Sequence, residues 1–195
     1  MGCIYSKERK ETLRKNKNNS QYRKKYLPAN TGDEDTNGNS QIPTLPEFND
    51  CQKDLVTKSW KVVKNDMDQV GINMLMKLFA SHPDVQNVFA PFRGMSPEDL
   101  NESNQLRSHA MRVMGTVDKC LSCIYESDNV FKILQELGSR HVMYTAKVDY
   151  MDLIGPQFIL AIQPVLDDEW TPELEQAWSD LFKLIAHIMK ASMTF

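Results

Sequence analysis

The sequence predicts an all-α fold of about seven or eight helices over residues 50–195. Three observations support this prediction. Apolar residues recur at spacings of three and four in successive segments, which is the period of an amphipathic helix. Two segments, 96–98 and 171–173, open with a hydroxyl residue, a proline and an acid, which is a strong helix start. No segment alternates apolar and polar residues as a half-buried strand would.

The first half of this region contains three predicted helices. Asp50 is placed to cap the first helix, whose apolar face includes Trp60. The second helix carries the apolar residues of 70–79 and stops before Pro83. Because proline suits the first turn of a helix, Pro83 predicts a short third helix.

Two longer helices in the middle of the region each carry one histidine on an apolar face. The apolar stripe over 106–124 includes His109, and the stripe over 130–141 ends on His141. A buried neutral imidazole without a partner costs free energy, so each ring requires an explanation.

Two more helices complete the fold. One starts near Tyr150 and contains Pro156, which predicts a kink or a local adjustment. The last helix starts at Thr171 and runs towards the C-terminus. The region therefore reads as one all-α domain without internal repeats.

Charge and composition divide the chain into three zones. Residues 1–26 contain nine Lys or Arg against Glu8 and Glu11, a net charge of +7, and the other 169 residues must then carry −10 to give the total of −3. Residues 27–49 are rich in Pro, Gly, Asn, Asp and Thr, which predicts a flexible linker. We therefore expect a disordered basic arm over 1–26, a linker over 27–49 and a folded domain over 50–195. No apolar run is long enough to span a membrane, and the N-terminus lacks the apolar core of a secretory signal.

The two histidines admit an ordinary interpretation and a sharper one. Each alone fits a core or surface histidine with a hydrogen bond. Zinc is disfavoured, because neither a His-x-x-x-His motif nor a cluster of Cys and carboxylates is present. Two facing helices with one inward imidazole each would instead suit a flat metal cofactor, and haem iron accepts one or two axial imidazoles.

Short segments along the chain resemble the globin family. The resemblance covers roughly 50–195, and it rests on the segments 78–83, 105–109 and 137–141. The residues that carry it, in order, are Trp60, Pro83, Phe89, His109, Val113, Leu137 and His141. Each motif alone is weak, but the ordered set at compatible spacings is strong.

The resemblance implies a globin fold around haem b. It implies that His141 is the proximal iron ligand and that His109 lies on the distal side. The remaining residues that it implies for the haem pocket are Leu75, Phe89, Phe92, Val113 and Leu137. One ring nitrogen of His141 would bind iron, and the other would donate to a backbone carbonyl or a hydroxyl.

Two states of His109 remain open at this point. His109 can leave the sixth iron site open and donate a hydrogen bond to bound O₂, or it can ligate the iron itself. The 32-residue separation of His109 and His141 resembles that of six-coordinate globins, although spacing alone does not settle ligation. The closed, bis-histidine state is preferred because the rest of the chain resembles that group. In that state an external ligand binds only after His109 leaves, which lowers its apparent affinity.

Three functions of different classes follow. The first is a redox globin that binds O₂, NO, CO or nitrite and transfers electrons, with an unidentified reductase as partner. The second is an open-site protein for O₂ storage, transport or sensing. The third is a haem-free helical interaction module. No catalytic residue beyond the haem ligands is visible, so enzymatic activity, such as nitrite reduction, is left undecided.

The N-terminus carries a lipidation pattern. Residues 1–6 match Met-Gly-x-x-x-Ser, in which Gly2 is myristoylated, and the adjacent Cys3 is a candidate for palmitoylation. One acyl chain binds membranes only marginally, but a second chain or a basic patch makes the anchor stable. We therefore expect a lipid-anchored protein on the cytoplasmic face of the plasma membrane, with anionic lipid as partner and no nucleic acid. This combination resembles globin X, a membrane-associated group within the globin family.

The cysteines outside the arm are Cys51, Cys120 and Cys123. Sparse cysteines indicate a reducing compartment. Placed on a globin, Cys51 should lie near Cys123, so a disulfide from Cys51 to Cys123 (or Cys120) is a hypothesis. The alternative is three reduced thiols.

Overall fold

Eight α-helices follow one another in the computed structural model, which describes residues 48–194. Their bounds are α1 Asp50–Val63, α2 Met67–Ser81, α3 Pro83–Val88, α4 Pro97–Glu102, α5 Asn104–Ser122, α6 Ser127–Met143, α7 Ile154–Leu166 and α8 Pro172–Met193. Short 3-10 turns occupy Lys64–Asp66, Ala90–Phe92, Val148–Asp152 and Asp167–Glu169. No strand occurs within the described part of the chain. The predicted all-α fold is confirmed, whereas the arm over 1–26 and almost all of the linker over 27–49 lie outside the described residues.

The predicted helix starts at Ser96 and Thr171 are confirmed by their caps. The Ser96 hydroxyl accepts a hydrogen bond from the backbone N–H of Asp99 at 3.2 Å, and the Thr171 hydroxyl accepts from that of Leu174 at 3.2 Å. These bonds satisfy N–H groups that have no partner within the helix. The proline that follows each cap occupies the first turn, where its missing N–H costs nothing.

The first helix begins one residue earlier than predicted. Asn49, not Asp50, is the cap: its side chain accepts from the backbone N–H of Gln52, and the Gln52 side chain accepts from the backbone N–H of Asn49, both at 3.0 Å. This reciprocal pair is a capping box. Phe48 packs against the core as well. The ordered domain therefore includes at least two residues that the composition had assigned to the linker.

The kink predicted at Pro156 is not formed. Helix α7 begins at Ile154, so Pro156 lies in its first turn, where no hydrogen bond is lost. The chain before it, Val148–Asp152, is a 3-10 turn rather than the start of one long helix. The proline placed further along α7 is Pro164, close to its C-terminal end.

The core forms where α1, α7 and α8 bring their aromatic residues together. The Trp178 side chain is fully buried, and its ring centroid lies 5.1 Å from that of Phe158 and 6.2 Å from that of Trp60. The Trp178 indole N–H donates to the Ser59 hydroxyl at 3.1 Å, which satisfies a polar group deep in the core. Helix α2 crosses α5 and α7, and α6 packs along α8. This framework holds α5 and α6, which carry the two histidines, in position.

The proposed disulfide between Cys51 and Cys123 or Cys120 is wrong. Cys120 and Cys123 are both free thiols in the structure, so neither is paired with Cys51. Cys120 is buried beside Val130, and burial raises the pKa of its thiol to about 12. The Cys123 thiol donates to the Lys119 carbonyl at 3.2 Å on its own helix. This hydrogen bond holds the Cys123 side chain against the C-terminal end of α5.

None of the helices described is long and apolar enough to cross a membrane.

The carboxylate of Asp118 should make stability depend on pH. It accepts from the Trp60 indole N–H at 2.8 Å and from Lys64 Nζ at 2.8 Å, and these bonds lower its pKa. A carboxyl with a lowered folded-state pKa stabilises the protein above its unfolded pKa, and that contribution disappears as pH falls through the folded value. Asp118→Asn keeps an acceptor for Trp60 but removes the charge, so we expect a loss of up to about 1 kcal/mol at pH 7. Urea denaturation of both proteins from pH 7 to pH 3 would show the difference closing, and a pH-independent difference would contradict this assignment.

Candidate functional site

His141 lies in the last turns of α6 and is held through one ring nitrogen. Its Nδ1 lies 2.8 Å from the carbonyl oxygen of Leu137, one turn earlier. A carbonyl only accepts, so Nδ1 carries the proton and Nε2 presents a lone pair. This confirms the expectation that a backbone carbonyl would hold the outer ring N–H. The ring is half-buried, and the Tyr144 ring packs edge-on at 6.4 Å.

His109 lies on α5 and is removed from water by aromatic rings. Its ring centroid is 5.1 Å from that of Phe89 and 6.3 Å from that of Phe92, both edge-on. Burial lowers the pKa of His109 to about 4, with smaller contributions from the positive charge of Arg112 and from His141. The imidazole is therefore neutral at pH 7.

Arg112 is a site residue that the sequence analysis missed. Its Nη2 lies 3.4 Å from Nδ1 of His109, and its Nη1 lies 3.4 Å from the Ser108 hydroxyl. The i to i+3 spacing on a helix was the available signal, because residues three apart share a face. That spacing was not informative alone, since an exposed arginine on a helix usually faces water.

Three phenylalanines form the wall beside His109. Phe79, Phe89 and Phe92 have ring centroids 5.5 to 5.8 Å apart in every pairing. Gln86 holds the loop that carries two of them, because its side-chain amide donates to the carbonyls of Phe92 and Met95 at 2.8 and 3.1 Å. Phe92 is 3% exposed and Phe89 is half-buried, so Phe89 retains a free face. A fixed loop thus presents one aromatic face next to His109.

The remaining predicted pocket residues divide between two clusters. Leu75 is buried in the main core, and Val113 is half-buried against the same core. Leu137 packs instead against a smaller cluster that includes Leu134 and Met189. Leu75 and Val113 thus belong to the core that also includes the phenylalanines beside His109, and Leu137 belongs to a separate cluster between α6 and α8.

The donor set fits one kind of metal site. In residues 48–194 no group of three or more His, Cys, Asp or Glu side chains could form a metal cage from protein ligands alone. Two imidazoles on separate helices, one held through Nδ1 and the other packed among phenylalanine rings, suit haem iron, which accepts one or two imidazole ligands. Fold and site together define an all-helical haem protein.

The globin family model matches residues 72–189, which include both histidines. The chain belongs to the globin family. It follows that the protein is a haem-binding globin whose ligands are small diatomic molecules.

Known relatives agree with this assignment. Cytoglobin-2 of Danio rerio is 26% identical over 151 residues, 76% of this chain and 83% of the relative. An anaerobic nitrite reductase of Physcomitrium patens is 28% identical over 144 residues, 71% of this chain and 78% of the relative. A hexacoordinated heme protein from an anhydrobiotic tardigrade superposes with a TM-score of 0.72 at 21% identity, over 77% of this chain and 97% of that structure. The structural likeness shows the shared fold.

Proposed function

We propose that this globin holds haem b between His141 and His109 and performs one-electron redox chemistry at a membrane surface, besides binding O₂, NO and CO reversibly. The observation that carries the proposal is the pairing of the two imidazoles. His141 presents its Nε2 lone pair because the Leu137 carbonyl engages Nδ1, and burial beside the Phe89 ring keeps His109 neutral at pH 7. Bis-histidine ligation transfers electrons with little rearrangement of ligands, which suits a redox protein.

The side chains around the two histidines set the conditions for that chemistry. Haem would supply an iron centre that binds imidazole nitrogen and diatomic molecules and changes its oxidation state by one electron. Leu75, Phe89 and Val113 would exclude water on the distal side, and Leu137 would do so beneath His141. The Leu137 carbonyl orients the His141 ring, and the Phe89 ring restricts where the His109 ring can lie.

Nitrite is the proposed substrate of the redox reaction, with reactive oxygen species as a second class. The support is the relative that is named an anaerobic nitrite reductase. Turnover would require an electron donor, so a reductase partner is part of the proposal. An O₂ storage, transport or sensing protein with an open sixth site is the second candidate, and the contact between Arg112 and His109 favours it.

The visible absorption spectrum tests the haem ligation directly. Purified protein reconstituted with haem would be measured in the ferric and dithionite-reduced states without added ligand. Bis-histidine iron gives sharp, split α and β bands on reduction. A single broad band would contradict ligation by His109 and move the storage or sensing function to first place, and a missing haem band would overturn the haem function altogether.

The membrane location is proposed from the N-terminal arm, which lies outside the described residues. The myristoylation pattern at Gly2 and the adjacent Cys3 would provide two acyl chains. The nine basic residues within positions 1–26 would attract anionic lipid. We propose that these anchor the protein to the cytoplasmic face of the plasma membrane.

Substitution of Gly2 should release the protein from membranes. Gly2→Ala removes the N-terminal glycine that myristoylation requires, so the myristoyl label should disappear. Palmitoylation of Cys3 generally follows a first membrane contact, so the palmitoyl label should disappear as well. Cys3→Ser should keep the myristoyl label but bind membranes weakly, since one chain gives only marginal binding. Myristate and palmitate labelling with membrane fractionation would check both variants. A Gly2→Ala protein that still labels and still sediments with membranes contradicts the anchor.

A further inference from the structure

An exposed apolar patch lies where α6 ends, directly after His141. Three of the five large hydrophobic side chains that are exposed in residues 48–194 are consecutive there: Val142, Met143 and Tyr144. They are 45%, 80% and 68% exposed, in that order. Single apolar residues on a surface are ordinary, but a contiguous group of them marks an interaction site. We call these three residues the α6 corner patch.

Hydrogen bonds fix the backbone of this corner. The N–H groups of Tyr144 and Ala146 donate to the His141 carbonyl at 3.1 and 3.2 Å, and that of Thr145 donates to the Val142 carbonyl at 3.0 Å. Thr145 has a φ of +56°, a left-handed conformation that is unfavourable for a β-branched residue. Such a conformation persists only where the surrounding structure holds it. The patch is therefore exposed on an ordered corner rather than on a loose end.

Positive charges flank the patch. Arg140 precedes it and Lys147 follows it, and both side chains are exposed. Residues 137–148 contain no Asp or Glu. Neither Arg140 nor Lys147 forms an ion pair with a carboxylate in residues 48–194. Aliphatic and tyrosine side chains between exposed cations are typical of a surface that lies at a membrane interface.

We propose that the α6 corner patch is a second contact with the membrane, in which its apolar side chains enter the headgroup region while Arg140 and Lys147 meet anionic lipid. The proposal rests on the membrane location proposed above. It adds an orientation, because His141 lies at the same corner and the haem site would then be held against the bilayer.

The size of the patch favours lipid over a second protein. A stable protein interface takes about 20 to 30 residues a side, so three apolar side chains are too few to form one. A bilayer sets no such minimum, because each side chain that enters it contributes its own apolar burial. The cations at both ends of the patch complement the negative surface of a membrane that contains anionic lipid.

The length of the chain before the domain allows both contacts at once. Residues 27–47 connect the basic arm to the domain, and a chain of 21 residues spans about 70 Å at full extension. A domain of this size is only about 40 Å across. Once the arm is anchored, the patch meets the bilayer at a high effective concentration, so a weak second contact adds measurably to binding.

Partition onto vesicles tests the second contact. The acylated, haem-loaded full chain would be sedimented with vesicles of phosphatidylcholine and phosphatidylserine. We expect the double variant Met143→Ser, Tyr144→Ser to bind about tenfold more weakly, because it loses the burial of two apolar side chains. Leu160→Ser is the matched control: Leu160 is 48% exposed on α7, outside the patch, and its substitution should leave binding unchanged.

Amide hydrogen exchange of the unmodified protein locates the contact without any substitution. Addition of the vesicles should slow exchange across residues 142–147. Unchanged exchange there while the protein sediments with vesicles, or equal binding by the double variant and Leu160→Ser, overturns the proposal but leaves the membrane location intact. Failure of the unmodified acylated protein to sediment with vesicles overturns the membrane location and the second contact together.

Analytical ultracentrifugation without vesicles tests a second copy of the chain as the occupant. The unmodified protein and the double variant should both sediment as monomers. A dimer that the double variant abolishes would show that the patch is covered by another copy, and it would overturn the lipid contact.

Discussion

Replacement of His141 by glycine should release haem from the protein. His141 supplies the Nε2 lone pair that the Leu137 carbonyl leaves available, and no other residue on α6 offers an equivalent donor. Loss of even an outer partner of a metal ligand lowers affinity by about 10- to 100-fold, so loss of the ligand itself should raise the haem dissociation rate by more than about 100-fold. Transfer of haem to an excess of apomyoglobin measures this rate.

Two controls separate loss of the ligand from damage to the helix. His187 is an exposed histidine on α8, and His187→Gly introduces the same backbone change away from the site. Its haem dissociation should match that of the unmodified protein. Millimolar imidazole added to His141→Gly should restore retention, because the free ring can occupy the space left by the side chain. Retention of haem by His141→Gly without imidazole would show that His141 is not the principal ligand.

Gly138→Ala should produce the largest loss of stability among small substitutions. A methyl group at this position would lie 2.5 Å from the carbonyl oxygen of Met189 and 3.0 Å from its Cα, where α6 meets α8. Both atoms belong to backbone, so no side-chain rotation relieves the contact and the helices must separate. Overpacking of this kind costs about 3 kcal/mol. Because His141 follows three residues later, haem affinity should fall as well.

Gly115→Ala is the matched control for this substitution. Gly115 also lies within a helix, α5, but a methyl group there meets no heavy atom within 4 Å. Alanine favours the helix over glycine by up to about 1 kcal/mol, so stability should stay level or rise slightly. Urea denaturation of both variants measures the two changes. Equal stabilities of Gly138→Ala and Gly115→Ala would contradict the close approach of α6 and α8.

The fold class and the two histidines were predictable because they depend on local periodicity. A helix places residues three and four apart on one face, so the stripes that contain His109 and His141 were visible in the sequence. The caps at Ser96 and Thr171 were predictable for the same reason, since a cap bonds to an N–H only three residues away. Family resemblance then assigned chemistry to the two rings.

Predictions failed where a second element or a competing local bond decided the outcome. Both Asn49 and Asp50 are good caps, and the reciprocal bond from Gln52 selected Asn49. Pro156 suits either a kink or a first turn, and the 3-10 turn before α7 selected the first turn. The pairing proposed for Cys51 with Cys123 depended on how distant segments meet, which periodicity does not contain.

By itself, then, the sequence determined which residues face inward on each helix and which two of them are imidazoles. Only the tertiary structure decided what surrounds those imidazoles, because the Phe89 and Phe92 rings reach His109 from a separate segment of the chain. Contacts of this kind depend on how separate segments of the chain meet, and helical spacing alone does not specify them. The contact of α6 with α8 at Gly138 is of the same kind, because it requires the backbone of Met189, 51 residues later in the sequence, to approach the backbone of Gly138 more closely than a methyl group would allow.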